Sequence, residues 1–174
     1  MRTTEKDLEQ KVVRTKKETF MGKEYTIKLS QKGYDDLKHE VRIAKLNGYS
    51  FDRLVRKGNM LIEEWVDVAA EIWDEMGEIQ AEVGMGATLN LWSDRRAMTV
   101  TRVITPKKIE VKENETKCLD WYASDYEILP ELRDGAQVFT LRKNGTWVAE
   151  GQPKKYGSVT LTLGYRHHYI DPSF

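Results

Sequence analysis

The spacing of apolar residues changes at Gly84-Met85-Gly86, and this change limits the available folds more than any other feature of the sequence. From Met60 to Val83, apolar residues recur every three or four positions, which is the period of an amphipathic helix. After Gly86 the period becomes two, which is typical of strands. These strands are predicted at about 87–93, 97–104, 108–113, 137–143, 146–150 and 159–164. We therefore expect two regions, residues 1–83 and residues 84–174.

The first region is predicted to be mainly helical, with one short strand at residues 23–29, where apolar and polar side chains alternate. Ser30 is a suitable N-cap for a helix that runs through Leu46. A short helix follows at residues 51–56, and the amphipathic helix occupies residues 60–83. The first twenty residues are polar and are expected to form a short helix or a loosely held arm.

The second region is predicted to be a small antiparallel β-barrel of the SH3-like kind, so the fold class is α+β. Asn144-Gly145 is the typical sequence of a two-residue type I′ hairpin turn. In that register Arg142 lies opposite Trp147, and the two side chains share one face. The sequence therefore places Trp147 beside Arg142, on the face opposite Phe139, Leu141 and Val148.

Charge is balanced over the whole chain, with 28 basic and 28 acidic residues, which argues against a chain that binds nucleic acid along its full length. Basic and acidic residues are not evenly distributed along the chain. Residues 1–58 hold 15 Lys/Arg and 9 Asp/Glu, residues 59–83 hold 8 Asp/Glu and no Lys/Arg, and residues 84–174 hold 13 and 11. The predicted helix 60–83 is therefore strongly acidic.

Seven carboxylates of this helix recur at helical spacing and would form a line about 27 Å long. They are Glu64, Asp67, Glu71, Asp74, Glu75, Glu78 and Glu82. Because like charges at this spacing repel one another, some basic group should answer them. One interpretation is that the basic residues of 1–58 fold back onto the helix. The other is that the line imitates the phosphates of a nucleic acid and binds the basic groove of a partner protein.

Four stretches of the second region carry a family resemblance: Leu91-Trp92-Ser93-Asp94-Arg95, Thr99-Val100-Thr101-Arg102-Val103, the run from Phe139 to Trp147 and the run from Leu163 to Phe174. With these stretches, residues 84–174 resemble a family of small bacteriophage and prophage proteins. The resemblance implies a phage or mobile-element origin and a β-rich fold. The family has no assigned activity, so no residue role is implied for this chain.

Motifs of enzymes and of metal sites are absent from the sequence, and we predict a protein that is not an enzyme and has no cofactor and no metal. Cys118 lacks a suitably spaced histidine that would act as its base. His167 and His168 are adjacent, so on a strand they would point to opposite faces and could not bind one metal ion together.

Aromatic and basic residues are interleaved in the second region, in a pattern that suits stacking on a base and contact with phosphate. The candidate ligand-binding residues are Arg95, Arg96, Trp121, Arg142, Trp147, Arg166 and His168. The alternative is that these side chains simply pack the barrel. If they bind a ligand, the protein is a nucleotide-signal sponge or a module for short nucleic-acid strands.

The wide apolar stripe of residues 60–83 also allows a homo-oligomer and a role in phage assembly. No apolar run is long enough to span a bilayer, and the expected location is the cytoplasm of the bacterial host. The preferred hypothesis is a phage accessory protein that inhibits a host protein handling nucleic acid, of the anti-CRISPR or anti-restriction type. In this hypothesis the acidic helix makes the contact.

Overall fold

A computed structural model describes residue 6, residues 11–152 and residues 159–173. The chain divides into two compact units. The first contains Met1–Arg42 and Phe51–Gly77, and the second contains Ile43–Ser50 and Glu78–Phe174.

The predicted α+β class with a mainly helical N-terminal region is wrong. The protein is mostly β, with 45% strand and 25% helix. The first unit contains a β-hairpin made of β1 (Val12–Phe20) and β2 (Lys23–Ser30), which are antiparallel. Met21 and Gly22 form its turn with positive φ angles of 49° and 74°. Alternation could not reveal β1, because nearly all of its residues are exposed on both faces.

Four helices follow: α1 (Gln31–Leu46), α2 (Phe51–Arg56), α3 (Met60–Glu64) and α4 (Val66–Met76). The Ser30 hydroxyl accepts a hydrogen bond from the Gly33 backbone N–H at 3.1 Å, which confirms the predicted cap of α1. Asn59 caps α3 in the same way, through the N–H groups of Leu61 and Ile62.

The prediction of one helix over residues 60–83 is wrong. The helix breaks at Trp65, where φ is −118° and ψ is 40°, and α4 ends before Gly77, where φ is 61° and ψ is −152°. A φ of this sign is the left-handed region that glycine tolerates best. The apolar spacing continues to Val83, but the backbone leaves the helical conformation at Gly77.

The apolar stripe is largely covered within the single chain. Its buried residues are Ile62, Trp65, Val68, Ala69 and Ile72. Phe51 also packs edge-on against Trp73, with ring centroids 5.5 Å apart. Val66 and Val83 of the stripe are exposed, and the homo-oligomer through residues 60–83 stays a prediction.

The second unit contains six antiparallel strands that close into a barrel in the order β3-β4-β5-β6-β7-β8. They are β3 (Gly86–Asn90), β4 (Arg95–Thr105), β5 (Lys108–Asp120), β6 (Asp125–Leu141), β7 (Trp147–Ala149) and β8 (Thr160–Leu163). Pairing of β3 with β8 closes the barrel. Its core includes Met98, Val111, Phe139, Trp147 and Leu163, all at most 1% exposed.

The β6–β7 hairpin differs from its predicted register by one residue on one strand. Leu141 pairs with Trp147, and the backbone N–H of Arg142 donates to the carbonyl of Thr146 at 2.9 Å. The loop therefore has three residues, with Gly145 at a φ of 75°, rather than the two of a type I′ turn. This shift turns Trp147 from the face of Arg142 to the core face.

Strand β5 ends later than predicted and β6 begins earlier, and the added residues pair to form an arm. In the arm, residues 114–120 pair with residues 125–132, from Asn114 opposite Leu132 to Asp120 opposite Asp125. The Asp120 carboxylate closes the turn by accepting hydrogen bonds from the N–H groups of Tyr122 and Ala123, at 2.9 and 3.2 Å. Leu119, Trp121 and Tyr122 are exposed at this tip.

Within the described part of the chain, no helix is both long enough and apolar enough to cross a membrane.

Candidate functional site

The acidic surface of the first unit is shorter than the predicted line. Asp67, Glu71, Asp74 and Glu75 lie on α4, and all four are exposed. From Asp67 to Glu75 the helix rises about 12 Å. Glu64 is exposed at the end of α3, before the break at Trp65. We call these five residues the acidic face.

Glu78 and Glu82 do not belong to the acidic face. Both side chains are exposed, but neither residue is helical, because α4 ends at Met76. The helical spacing that placed them in the line therefore has no structural counterpart.

Strand β1 brings two basic side chains to the acidic face. The Arg14 guanidinium pairs with the Glu71 carboxylate at 3.4 Å, and both side chains are more than half exposed. The Lys16 ammonium donates to the Glu64 carbonyl and lies 5.0 Å from the centre of the Trp65 ring. Arg14 thus answers part of the acidic charge, as the first interpretation of the sequence predicts, whereas the ion pair of Lys16 is with Glu18 of the same strand, at 2.6 Å.

Exposed ion pairs such as Arg14–Glu71 contribute about 0–1 kcal/mol, because water and salt screen them. A partner that supplies its own Arg or Lys side chains can therefore replace Arg14 at little cost. The acidic face remains electrostatically available even though it is partly paired.

The predicted ligand-binding residues of the barrel do not gather at one site. Trp147 is 1% exposed, and its indole N–H donates to the Leu46 carbonyl at 3.1 Å, so it is a core residue. Arg142 is partly buried beside this hairpin loop. Arg166 donates from Nε to the Thr99 hydroxyl at 3.1 Å and from Nη2 to the Gly84 carbonyl at 3.0 Å.

The remaining four of these residues lie in other surroundings. Arg95 donates to the carbonyls of Leu91 and Asp94, at 3.0 and 2.8 Å, and so holds the β3–β4 turn. Arg96 pairs with Glu113 at 3.5 Å. Trp121 is half exposed at the tip of the arm, whereas His168 is only 8% exposed.

The extended segment of residues 165–173, which we call the strap, joins the β3–β4 turn to the arm. The backbones of Arg95 and Tyr169 exchange two hydrogen bonds of 2.7 and 2.8 Å. On the other side, the Ser124 hydroxyl donates to the Ile170 carbonyl at 2.8 Å and accepts from the Ile170 N–H at 2.9 Å. The Asp94 carboxylate also accepts from the Asp171 N–H at 3.1 Å.

A partly buried polar cluster lies beneath the strap. The ring of His168 packs edge-on against Tyr126, with centroids 4.8 Å apart. Antiparallel pairing of Arg95 with Tyr169 places Arg96 opposite His168, and Arg96 pairs with Glu113. Arg133 lies 3.6 Å from the same carboxylate.

Four side-chain atoms of this cluster are buried and find no hydrogen-bond partner among the described residues. They are Arg96 Nε, Glu113 Oε1, Tyr126 Oη and His168 Nδ1. Unsatisfied buried polar atoms are costly, and each needs a physical explanation. Sequence spacing gave no indication of the cluster, because its members come from β4, β5, β6 and the strap.

The surroundings of the cluster shift the pKa values of two side chains. Burial lowers the pKa of His168; Glu113 and Asp94 act to raise it, and Arg96 and Arg133 to lower it further. Burial raises the pKa of Tyr126, and the thiol of Cys118, its partner across β5 and β6, raises it further. Both shifts favour the uncharged side chain.

A metal site is not formed by the described residues, because no three His, Cys, Asp or Glu side chains converge in them. His167 and His168 are separated as their adjacency predicts: His167 is exposed and His168 is buried.

Comparison of this protein with known families, curated proteins and solved structures finds no family model, no curated relative and no similar structure that matches.

Proposed function

We propose that this protein is a non-enzymatic phage accessory protein that binds and inhibits a host protein handling nucleic acid, and that the acidic face makes the contact. The observation that carries the proposal is the exposure of all four carboxylates of α4, in a segment, residues 59–83, without any Lys or Arg. The resemblance of residues 84–174 to small phage proteins supports the biological setting.

The spacing of these carboxylates suits a groove that binds a nucleic-acid backbone. Carboxylates four residues apart on a helix are separated by about 6 Å along its axis. One DNA strand carries a phosphate every 3.4 Å or so, so about 12 Å of one strand holds three or four phosphates. The part of the acidic face on α4 holds four carboxylates in the same length, from Asp67 to Glu75.

The carboxylates are also close enough to act together. Their spacing of about 6 Å is shorter than the Debye length of about 8 Å at physiological ionic strength. A basic groove would therefore meet a continuous negative potential, which steers association and selects for cationic partners.

Affinity capture from a nuclease-treated bacterial lysate tests the proposal. We expect the wild-type protein to retain a host protein, and an acidic-face variant carrying D67N, E71Q, D74N and E75Q to lose it. Recovery of nucleic acid alone, or equal capture by both proteins, would contradict the proposal.

A second candidate is that the barrel binds a nucleotide or a short nucleic-acid strand. The observation that favours it is the exposure of Trp92 and Tyr122, at 96% and 89%, because exposed aromatic rings offer stacking surfaces for bases. A ligand that binds the native state raises the melting temperature. A nucleotide that raises the melting temperature of the wild type but not of Trp92→Ala would support this role, and no shift with any nucleotide at millimolar concentration would exclude it.

A further inference from the structure

We infer that residues 168–171 of the strap are released from the barrel by mild acid, with His168 as the group that takes up the proton. This inference concerns the second unit alone and goes beyond the proposed role of the acidic face. It starts from the way the strap is attached.

The two halves of the strap are held differently. Residues 165–167 are fixed by the Thr88 and Thr99 hydroxyls and the Gly84 carbonyl. Beyond them, two backbone hydrogen bonds join Tyr169 to Arg95, two hydrogen bonds of the Ser124 hydroxyl hold Ile170, and the Asp171 N–H donates to Asp94. The isolated bridge between Arg95 and Tyr169 is not extended into a strand pair in the described residues. An attachment of this size can open without unfolding the six-stranded barrel.

His168 is the side chain by which the strap covers the polar cluster. Its ring is 8% exposed and packs on Tyr126, and its Nδ1 atom finds no partner among the described residues. A proton on this ring would add a second N–H donor without an acceptor, at a site shielded from water.

The charged groups around His168 do not compensate such a proton fully. Arg96 on β4 and Arg133 on β6 oppose a positive ring, whereas Glu113 on β5 and Asp94 in the β3–β4 turn favour it. Glu113 is already engaged by both arginines, at 3.5 and 3.6 Å, and Asp94 accepts from Ser93 and from the Asp171 N–H. Tyr126 is a neutral neighbour, whose raised pKa keeps it protonated over this pH range.

The sign of the pH dependence follows from the direction of the pKa shift. The pKa of His168 is lower in the attached strap than the ordinary value of 6.5 that it regains when released. The released state therefore binds more protons as the pH falls below about 6.5, and acid favours it. One proton linked to release changes the equilibrium by at most about tenfold for each pH unit.

Amide hydrogen exchange between pH 7.5 and pH 5.0 tests this inference, with rates normalised to those of an unstructured chain at the same pH. We expect the protection factors of the Tyr169 and Ile170 amides to fall on acidification, by up to about thirtyfold for one linked proton, while the amides of Leu89 and Val111 in the barrel core keep theirs. Unchanged protection of the strap, or a parallel loss in the barrel, would overturn the inference.

Two variants assign the effect to the buried histidine. His168→Phe keeps an aromatic ring against Tyr126 but cannot take up a proton, so its strap protection should not depend on pH in this range. His167→Gln removes the exposed neighbour and should behave as the wild type. A pH dependence that persists in His168→Phe, or disappears in His167→Gln, would overturn the assignment.

Discussion

The Asn47 side chain completes the edge of strand β8 at Leu163. Its Oδ1 atom accepts from the Leu163 N–H at 2.9 Å, and its Nδ2 group donates to the Leu163 carbonyl at 3.1 Å and to the Ile43 carbonyl at 2.7 Å. Asn47 is 5% exposed, so both backbone groups of Leu163 depend on this one amide for their partners. A side chain that follows a helix here takes the place of a neighbouring strand.

Removing this amide should be strongly destabilising. Asn47→Ala leaves two buried backbone groups without partners, each at a cost of about 1–3 kcal/mol. We expect the free energy of unfolding, measured by urea titration, to fall by about 3 kcal/mol. Gln137→Ala at an exposed position of β6 is the control, with an effect within about 0.5 kcal/mol. Equal effects of the two substitutions would contradict the assigned role of Asn47.

The same substitution at two tryptophans should change the stability of the protein by very different amounts. Trp147→Phe removes the donor to the Leu46 carbonyl and leaves a gap in the core, so we expect a loss of about 2–3 kcal/mol. Trp92→Phe changes a side chain that is 96% exposed and should stay within about 0.5 kcal/mol of the wild type. Thermal unfolding without any ligand makes the comparison. An unchanged stability of Trp147→Phe would contradict the assignment of Trp147 to the core.

Two glycines with positive φ separate backbone strain from steric overlap. At Gly135, with a φ of 92°, an added Cβ meets nothing within 4 Å, whereas at Gly164, with a φ of 111°, it would overlap the Ile43 Cδ1 atom. Gly135→Ala should cost about 1 kcal/mol from the backbone alone. Gly164→Ala should cost about 1 kcal/mol more, because the half-buried Ile43 side chain must also move. Similar melting temperatures for the two variants would contradict the packing of Gly164.

The Asp171 carboxyl should report the local structure of the strap. Hydrogen bonds from the Ser173 hydroxyl and N–H lower the pKa of Asp171 below the ordinary value of 3.8. Its stabilising contribution is present above about pH 3.8 and is lost as the pH falls through the lowered value. Ser173→Ala removes the hydroxyl and keeps the N–H, so NMR titration should show a raised pKa that stays below 3.8. An unchanged pKa would show that the hydroxyl does not bind this carboxylate.

The sequence predicted two helices correctly from their caps and apolar spacing. The Ser30 cap and the spacing that follows it give α1 from Gln31 to Leu46, and α2 is found at its predicted residues 51–56. The long acidic helix failed because apolar spacing continues past Gly77, whose positive φ ends α4. Here the backbone of one glycine outweighs six residues of helical pattern.

Strands without a buried face were not predictable from alternation. β1 and much of the arm are exposed on both faces, so their pattern carries no period of two. In the β6–β7 hairpin, the predicted loop is one residue too short. The extra residue changes the register and moves Trp147 from a candidate ligand surface to the core.

The two candidate sites also differ in how far the sequence could predict them. The four carboxylates of α4 could be predicted because they are close in the sequence. The polar cluster of Arg96, Glu113, Tyr126 and His168 could not, because it depends on pairings between distant strands and on the path of the strap.

The most direct test of the acidic face is the affinity of the captured host protein for two variants with equal changes in charge. One variant carries D67N, E71Q, D74N and E75Q in α4, and the other carries E78Q, E82Q, E131Q and D134N at exposed positions outside it. Isothermal titration calorimetry should show at least a tenfold weaker Kd for the first variant and a Kd within about twofold of the wild type for the second, with both variants folded by circular dichroism. Equal affinities of the two variants would contradict a specific role for the acidic face.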